Sequence, residues 1–239
     1  FKMVKHYSNF NIQKKHKGSI VLIGNFDGLH QGHQKLFKLA QSYKKKYNLK
    51  IGVINFDPMP KMFFNKKLKN FRLSNVDQKI KLLSKFKVDF VITKKFDKKF
   101  SKTKALNFII EILNKKLNSK FIFVSNNFRF GNNREGNVDL LIENEKTYNY
   151  KVVKPKPLTK DKKIVSSSLI RNLLENGFLE KANKLLDRNW TIEGIVQKGR
   201  QVGKKIGFPT CNIDIHDYVL AKPGVYAVKV LRKNNTKYL

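Results

Sequence analysis

Cysteine is almost missing from this chain of 239 residues: Cys211 stands alone, which excludes an intramolecular disulfide and a thiolate metal cluster. Acidic residues are scarce as well, 17 Asp and Glu against 51 Lys and Arg, for a formal net charge of +34. Arginine is scarce within that excess: seven Arg (positions 72, 129, 134, 171, 188, 200 and 232) leave 44 Lys. Proteins that read nucleic acids lean on Arg for bidentate contacts to phosphate and guanine. The Lys surplus travels with abundant Asn, Ile and Phe, the residues of A- and T-rich codons, so biased coding accounts for much of the charge. Attraction to polyanions at low salt follows as a side effect, and no specific nucleic-acid partner is expected. No apolar run approaches ~20 residues, which argues against a membrane span. The opening Phe1-Lys-Met-Val-Lys5 lacks the apolar stretch of a signal peptide. A cytoplasmic protein with no membrane partner is expected. The start at Phe1 rather than Met leads us to expect a segment of a longer product.

What is present is enough apolar material, 41% with 19 Phe, for a sizeable core, and enough length for two domains. The most informative stretch is Ser19-Ile-Val-Leu-Ile-Gly-Asn-Phe-Asp-Gly-Leu-His-Gln-Gly-His33. It reads as a buried strand, a tight turn, and a helix start bearing two histidines. A helix N-terminus presents unpaired N–H groups and the positive end of the macrodipole, so it receives phosphate readily. His30 and His33 there, with Gly28 and Gly32 keeping side chains out of the way, make a pocket suited to a nucleotide triphosphate. An isolated H-x-x-H is equally well a turn with two surface histidines; the whole string is far more specific. A Walker A loop is absent.

Periodicity predicts strands at 19–24, 51–56, 88–92, 121–124 and 149–153. They alternate with helices at 31–47, from a Ser74 cap to Phe86, at 104–117 and at 137–147. Asp57-Pro-Met-Pro60 and the polar stretch 126–136 read as loops. Such alternation predicts a parallel sheet with helices on both faces and ligands at the carboxyl ends of the strands. Helices follow at Ser166–Gly177 and Leu179–Leu186. From Trp190 the texture changes to short strand-like runs, 191–196 and 224–230, spaced by Gly-rich turns without helices, as in a small antiparallel barrel.

Several strings, in order, carry a resemblance. They are Gly24-Asn-Phe-Asp-Gly-Leu-His-Gln-Gly-His33, Val124-Ser-Asn-Asn-Phe-Arg-Phe-Gly131 with Arg134 and Gly136, and Val165-Ser-Ser-Ser-Leu-Ile-Arg171. Gly194-Ile-Val-Gln-Lys-Gly199, Gly203, Gly207-Phe-Pro-Thr-Cys-Asn-Ile213 and Pro223-Gly-Val-Tyr-Ala-Val228 follow. Along nearly its whole length the chain resembles the bacterial bifunctional riboflavin kinase/FMN adenylyltransferase family, the FAD synthetases. The resemblance implies an α/β fold: a Rossmann-like nucleotidylyltransferase domain over 1–187, then the start of a riboflavin-kinase β-barrel over 188–239. It implies adenylyl transfer from ATP to FMN with release of pyrophosphate, Mg²⁺ as cofactor, and phosphorylation of riboflavin by the complete protein.

Adenylyl transfer needs positioning and charge neutralisation more than a strong base, because the attacking phosphate is already ionised. The expected ATP side comprises Gly24, Phe26, Asp27, Gly28, His30 and His33. Ser167 and Arg171, four apart at a helix start, join it by gripping the same phosphates. For the serines alone an N-cap is the simpler role. The resemblance places Asn127, Phe128, Arg129, Phe130 and Met59 on the flavin side, with Asn127 alongside His30, His33, Ser167 and Arg171 as catalytic. Asn127 stands where the family often has Asp, Met59 where a polar residue is expected, and Lys204 where Arg is common. Of Phe128 and Phe130, at least one is expected to pack the core. In the kinase part, Thr210 and Asn212 are implied as Mg²⁺ and ATP-phosphate ligands, hard oxygens of the kind Mg²⁺ takes. The family's carboxylate base lies beyond the equivalent of Leu239, so kinase activity is not expected of this chain alone. A weak homo-oligomer is the most that is expected of self-association. Two other classes remain open: another small-molecule adenylyl- or cytidylyltransferase sharing the histidine turn, and a basic nucleic-acid-binding protein. The first has no reason to carry Gly-Phe-Pro-Thr-Cys-Asn; the second rests on charge alone.

Overall fold

In the computed structural model, which describes residues 4–197, 207, 210–215 and 217–231, six strands form one sheet. These are β1 (Lys5–Tyr7), β2 (Ile20–Ile23), β3 (Ile51–Asp57), β4 (Phe90–Lys95), β5 (Phe121–Phe123) and β6 (Lys151–Val153), in the order β1-β4-β3-β2-β5-β6. Every pairing is parallel. The alternation of strands and helices predicts this topology, with one strand too few. The three residues of β1 are polar and too short for periodicity to reveal, and they pair only with β4, where His6 hydrogen-bonds Thr93 at 2.9 Å.

The strands are apolar on both faces because both are covered. Along β2 the side chains alternate, Ile20 and Leu22 to one cluster, Val21 and Ile23 to the other. Helices α1 (Gln31–Tyr47), α2 (Pro60–Phe64) and α3 (Val76–Ser84) follow the first turns. Phe37 and Ala40 of α1 and Leu83 of α3 pack against Ile20, Leu22 and Val53. A short α4 (Lys98–Ser101) precedes α5 (Ala105–Asn107), which continues into a π-helical stretch, Phe108–Lys116. Phe108, Ile109, Ile112 and Leu113 cover the other face. Each such buried side chain contributes roughly 2 kcal/mol.

Local chemistry departs from expectation at two places. The cap of α3 is Asn75, in a capping box with Gln78, and the Ser74 hydroxyl instead accepts from the Gly28 N–H at 3.2 Å. The helix expected over 137–147 breaks at Asn144 into α6 (Val138–Glu143) and α7 (Glu145–Tyr148). Beyond the sheet, β7 (Thr159–Lys160) and β8 (Lys163–Ile164) make a small hairpin, and α8 (Ser167–Glu175) and α9 (Leu179–Leu186) pack on each other around Ile170, Leu174 and Leu186.

After Trp190, the antiparallel pair β9 (Val196–Gln197) and β10 (Asn212–Ile213) is the regular structure among the described residues. The strand expected over 224–230 is not formed: those residues have no ladder partner among the described ones, and Val225, Val228 and Leu231 are exposed. A β-strand exists only by virtue of its neighbour. Within the expected kinase motifs, Gly199, Gly203, Lys204, Phe208 and Pro209 lie outside the described residues. Tyr218 returns to the first part of the chain. Its hydroxyl donates to Gln78 at 2.7 Å, Asp217 accepts from the Phe71 and Arg72 N–H groups through its carbonyl, and Val219 joins the α8–α9 cluster.

Candidate active site

β2 is central in the sheet, with β3 on one side and β5 on the other. The chain order reverses about it, so a crevice opens at the carboxyl ends of these three strands. Two of the strings above, 24–33 after β2 and 124–136 after β5, meet there with the loop Asp57-Pro-Met-Pro60 at the end of β3.

The turn after β2 is wound tightly. Phe26 and Gly28 have positive φ, +46° and +73°, and a 3₁₀ turn runs over Asp27–Leu29. A β-carbon at Gly28 would lie 2.8 Å from Leu73, so both the conformation and the space require glycine. Phe26 is buried, edge-on to His33 and Phe37 at ring separations of 5.2 and 5.1 Å, so it packs beneath the turn. Asp27 is also interior. Its carboxylate accepts from the Leu73 and Ser74 N–H groups at 3.0 to 3.2 Å and pairs with the Arg171 guanidinium at 2.6 Å. Arg171 further donates to the Phe71 carbonyl at 2.6 Å and stacks on the Phe71 ring at 3.6 Å.

The serines at the start of α8 divide the work. Ser166 is the N-cap, accepting from Leu169 N–H at 3.2 Å; Ser167 donates to the Asp27 carbonyl at 2.8 Å. Ser167 and Arg171 therefore both brace the histidine turn through Asp27. Arg188, a residue the motifs did not single out, donates to the Gly28 carbonyl at 2.7 Å from the other side.

His30 is the N-cap of α1 but supplies no capping hydrogen bond, and no other side chain caps this 17-residue helix. Its first-turn N–H groups are open to a ligand. The imidazoles of His30 and His33 stack, centroids 3.7 Å apart, and neither Nδ1 has a protein partner. Gly32 makes room: a β-carbon there would sit 3.1 Å from the His30 ring. Burial pushes His30 down to about 4; Asp27 opposes the shift, while Arg171 and Arg188 add to it. Burial, then His30 and Lys79, hold His33 well below the usual imidazole range. Both rings are neutral at neutral pH.

That depression carries a prediction. Unfolded, His30 titrates near 6.5; folded, near 4. As the pH falls the unfolded chain takes up the proton first, so this contribution to stability is whole above pH 6.5 and is lost between pH 6.5 and 4. Denaturant unfolding at about pH 5 is expected to give about 2 kcal/mol less stability than at pH 7 from this group. His30→Gln, neutral throughout, is expected to flatten that part of the profile; an unchanged slope would contradict it.

The other expected positions divide between rim and interior. Asn127 is exposed, its amide oxygen accepting from Ser125 at 2.9 Å, and Arg129 is exposed beside it. Phe128 and Phe130 stack at 5.4 Å; Phe130 is buried against Phe108, as expected of one of the pair, and Phe128 is half-buried. The loop is fixed by paired backbone bonds between Phe130 and Gly136 and by Glu135, which accepts from the Ala105 N–H at 2.6 Å. Met59 is buried at the start of α2, its side chain taken up in packing. Gly24 joins β2 to the turn, its N–H donating to the Ile54 carbonyl at 3.1 Å. Thr210 and Asn212 are exposed, far along the chain on the β9–β10 pair and its approach. Two neutral oxygens of hard type suit Mg²⁺ that arrives with a nucleotide's phosphates; among the described residues no group of three His, Cys, Asp or Glu could hold a metal alone.

A buried polar residue outside the strings stands at the same crevice. Asn55, in the carboxyl half of β3 and 1% exposed, has neither amide atom hydrogen-bonded, and the Asn25 side-chain oxygen is likewise unpartnered. An Asn inside the apolar run Ile51-Gly-Val-Ile-Asn-Phe56 is a legible signal of this kind. A recess of about 500 Å³ lined by Tyr47, Lys120, Glu145 and Tyr150 lies at the opposite, amino-terminal end of β5 and β6, and none of these groups lines it.

Comparison with known proteins places the chain. Residues 12–169 match the family described as FAD synthetase, and residues 186–239 match riboflavin kinase. The chain belongs to the FAD synthetase family. A bifunctional riboflavin kinase/FMN adenylyltransferase of Buchnera aphidicola subsp. Schizaphis graminum is 41% identical over 230 residues, 96% of this chain and 74% of that protein. The Escherichia coli K12 protein of the same name is 35% identical over 96% of this chain and 73% of its own length. A crystal structure titled macrolide-efflux protein, from Streptococcus pneumoniae, superposes with a TM-score of 0.80 at 27% identity, over 99% of this chain and 77% of that one. Among the described residues no helix is long and apolar enough to cross a membrane.

Proposed function

We propose that this chain forms FAD by adenylyl transfer: a phosphate oxygen of FMN attacks the α-phosphorus of ATP, a new P–O bond forms, and the bond to the β-phosphate oxygen breaks to release pyrophosphate. The observation that carries this reading is the uncapped start of α1 with two stacked, neutral histidines whose Nδ1 atoms have no protein partner. Phosphate oxygens accept from the open N–H groups and from the imidazoles in the Nδ1–H tautomer, and the triphosphate's charge raises the imidazole pKa values as it binds. Charge that develops on the departing pyrophosphate then meets donors already in place. Ser167, Asp27, Arg171 and Arg188 hold the turn rigid for this purpose.

Asn127, Arg129 and the half-buried Phe128 form the flavin side on the neighbouring loop, with Phe130 and Met59 supporting it from the interior. Residues 1–187 make the adenylyltransferase module and 188–239 the riboflavin-kinase module, where Thr210 and Asn212 hold Mg²⁺ with the nucleotide. Mg²⁺ would supply neutralisation of the phosphate oxygens. Riboflavin phosphorylation belongs to that second module, and both activities are placed in the cytoplasm.

Incubating the chain with FMN, ATP and Mg²⁺ and resolving the products by chromatography tests the reading. FAD and pyrophosphate in equal amounts are expected. A folded protein that binds ATP yet yields no FAD would refute it, and turnover of phosphopantetheine or phosphocholine in place of FMN would favour a sister transferase.

A further inference from the structure

Beneath the histidine turn lies a cation that none of the motifs accounts for. Lys79 comes from the first half of α3 and is 2% exposed, yet among the described residues its ammonium has no ion-pair or hydrogen-bond partner. The carboxylates near enough to influence it are Asp27 and Asp57, with Arg72 opposing. Each of these acids already has a closer arginine: Asp27 pairs with Arg171 at 2.6 Å and Asp57 with Arg72 at 2.7 Å. Arg72 also pairs with Asp217 at 3.2 Å, so of the cations in this group Lys79 is the one without a direct carboxylate partner among the described residues. Burial also pulls its pKa below the usual lysine value.

An unpaired buried ammonium is costly, and lysine is among the residues least often buried without a partner. Lys79 is not isolated in this respect. The unpartnered atoms of Asn25, Asn55, His30 and His33 occupy the same carboxyl-end crevice, and the charge of Lys79 reaches the His33 ring. So many unsatisfied buried groups at one place mark a site completed by a ligand rich in oxygen and negative charge.

We propose that Lys79 is a nucleotide-binding residue, its ammonium meeting the polyphosphate from below the turn while the histidines and the start of α1 meet it from above. This rests on the adenylyltransferase reading and extends it to a residue outside the family strings. The alternative role is purely structural, a diffuse counter-charge to Asp27 and Asp57.

The two roles separate in thermal unfolding of the full chain with and without ATP, pyrophosphate or adenosine. For Lys79→Met the apo melting temperature is expected to equal or exceed wild type, because a buried charge is removed. Affinity for ATP and pyrophosphate is expected to fall by about tenfold or more, with adenosine unaffected. Lys79→Arg is expected to recover part of the phosphate-dependent stabilisation. Pyrophosphate binding by Lys79→Met within about twofold of wild type overturns the proposal. So does an apo melting temperature that falls with an equal loss for all three ligands. If Lys79→Met does not fold, the same titrations on Lys79→Gln and Lys79→Arg decide it. Absence of FAD formation by the wild type would defeat the adenylyltransferase reading; wild-type turnover with unimpaired pyrophosphate binding in Lys79→Met would defeat only this one.

Discussion

His33→Ala is expected to reduce kcat/KM for FAD formation by about 10²–10³-fold with little change in the folded structure, the scale on which a preorganised donor to developing charge acts. His33 lies on the first turn of α1, half-buried, with one face on the His30 ring and an edge toward Phe26. Truncation removes a phosphate donor and leaves the Asp27 anchorage intact, so far-ultraviolet circular dichroism should be retained. His33→Asn, which keeps an N–H, is expected to recover part of the rate. Near-normal turnover by the alanine variant would remove the histidine pair from the chemistry.

Arg171→Met is expected to act on the fold instead. It strips the guanidinium from a carboxylate that stays interior, held by the Leu73 and Ser74 N–H groups, and breaking a buried pair in this way costs about 3–5 kcal/mol. For a chain of this size that corresponds to a Tm lower by about 10 °C. Calorimetry on Arg171→Met, Asp27→Asn and the double variant checks it. The double variant should be more stable than the two losses added together, because neither orphaned charge remains. Strictly additive losses would mean that the pair at 2.6 Å contributes nothing as a pair.

The contrast between these two variants reflects what the residue order makes visible. Short continuous apolar runs such as Ile20–Ile23 and 51–56 announce buried parallel strands, and five of the six strands of the sheet are legible in that way. β1 is not, because Lys5-His-Tyr7 takes its conformation from β4 alone. The helix boundaries follow caps, and where two candidates stand side by side, as Ser74 and Asn75 do, only the tertiary partner decides: Gly28 claims the Ser74 hydroxyl. The same holds at the crevice. Spacing suggests that Ser167 and Arg171 point at one ligand, whereas in the fold both address Asp27. Arg188, Asn55 and Lys79 leave faint marks in the order of residues: an Arg just past a helix, an Asn in an apolar strand, a Lys four places before a core Leu. Their meaning depends on burial, which no local pattern encodes. The run 224–230 looks like a strand for the converse reason: β propensity is present and, among the described residues, the partner is not.

The return of Tyr218 and Val219 bears on how such chains can be recombined. Val219 fills part of the wall around Leu73 and Leu174, and the Trp190 indole donates to the Leu73 carbonyl at 3.0 Å. Two short stretches of the part that matches riboflavin kinase, residues 186–239, are therefore carpentry of the part that matches FAD synthetase. A graft exchanging residues 186–239 with those of a distant relative would have to import matching aromatics, a branched aliphatic, and a carboxylate that meets Arg72 as Asp217 does at 3.2 Å. Otherwise the segment 71–73, which grips Asp27, would lose its backing. Parts divisible on paper are here inherited together.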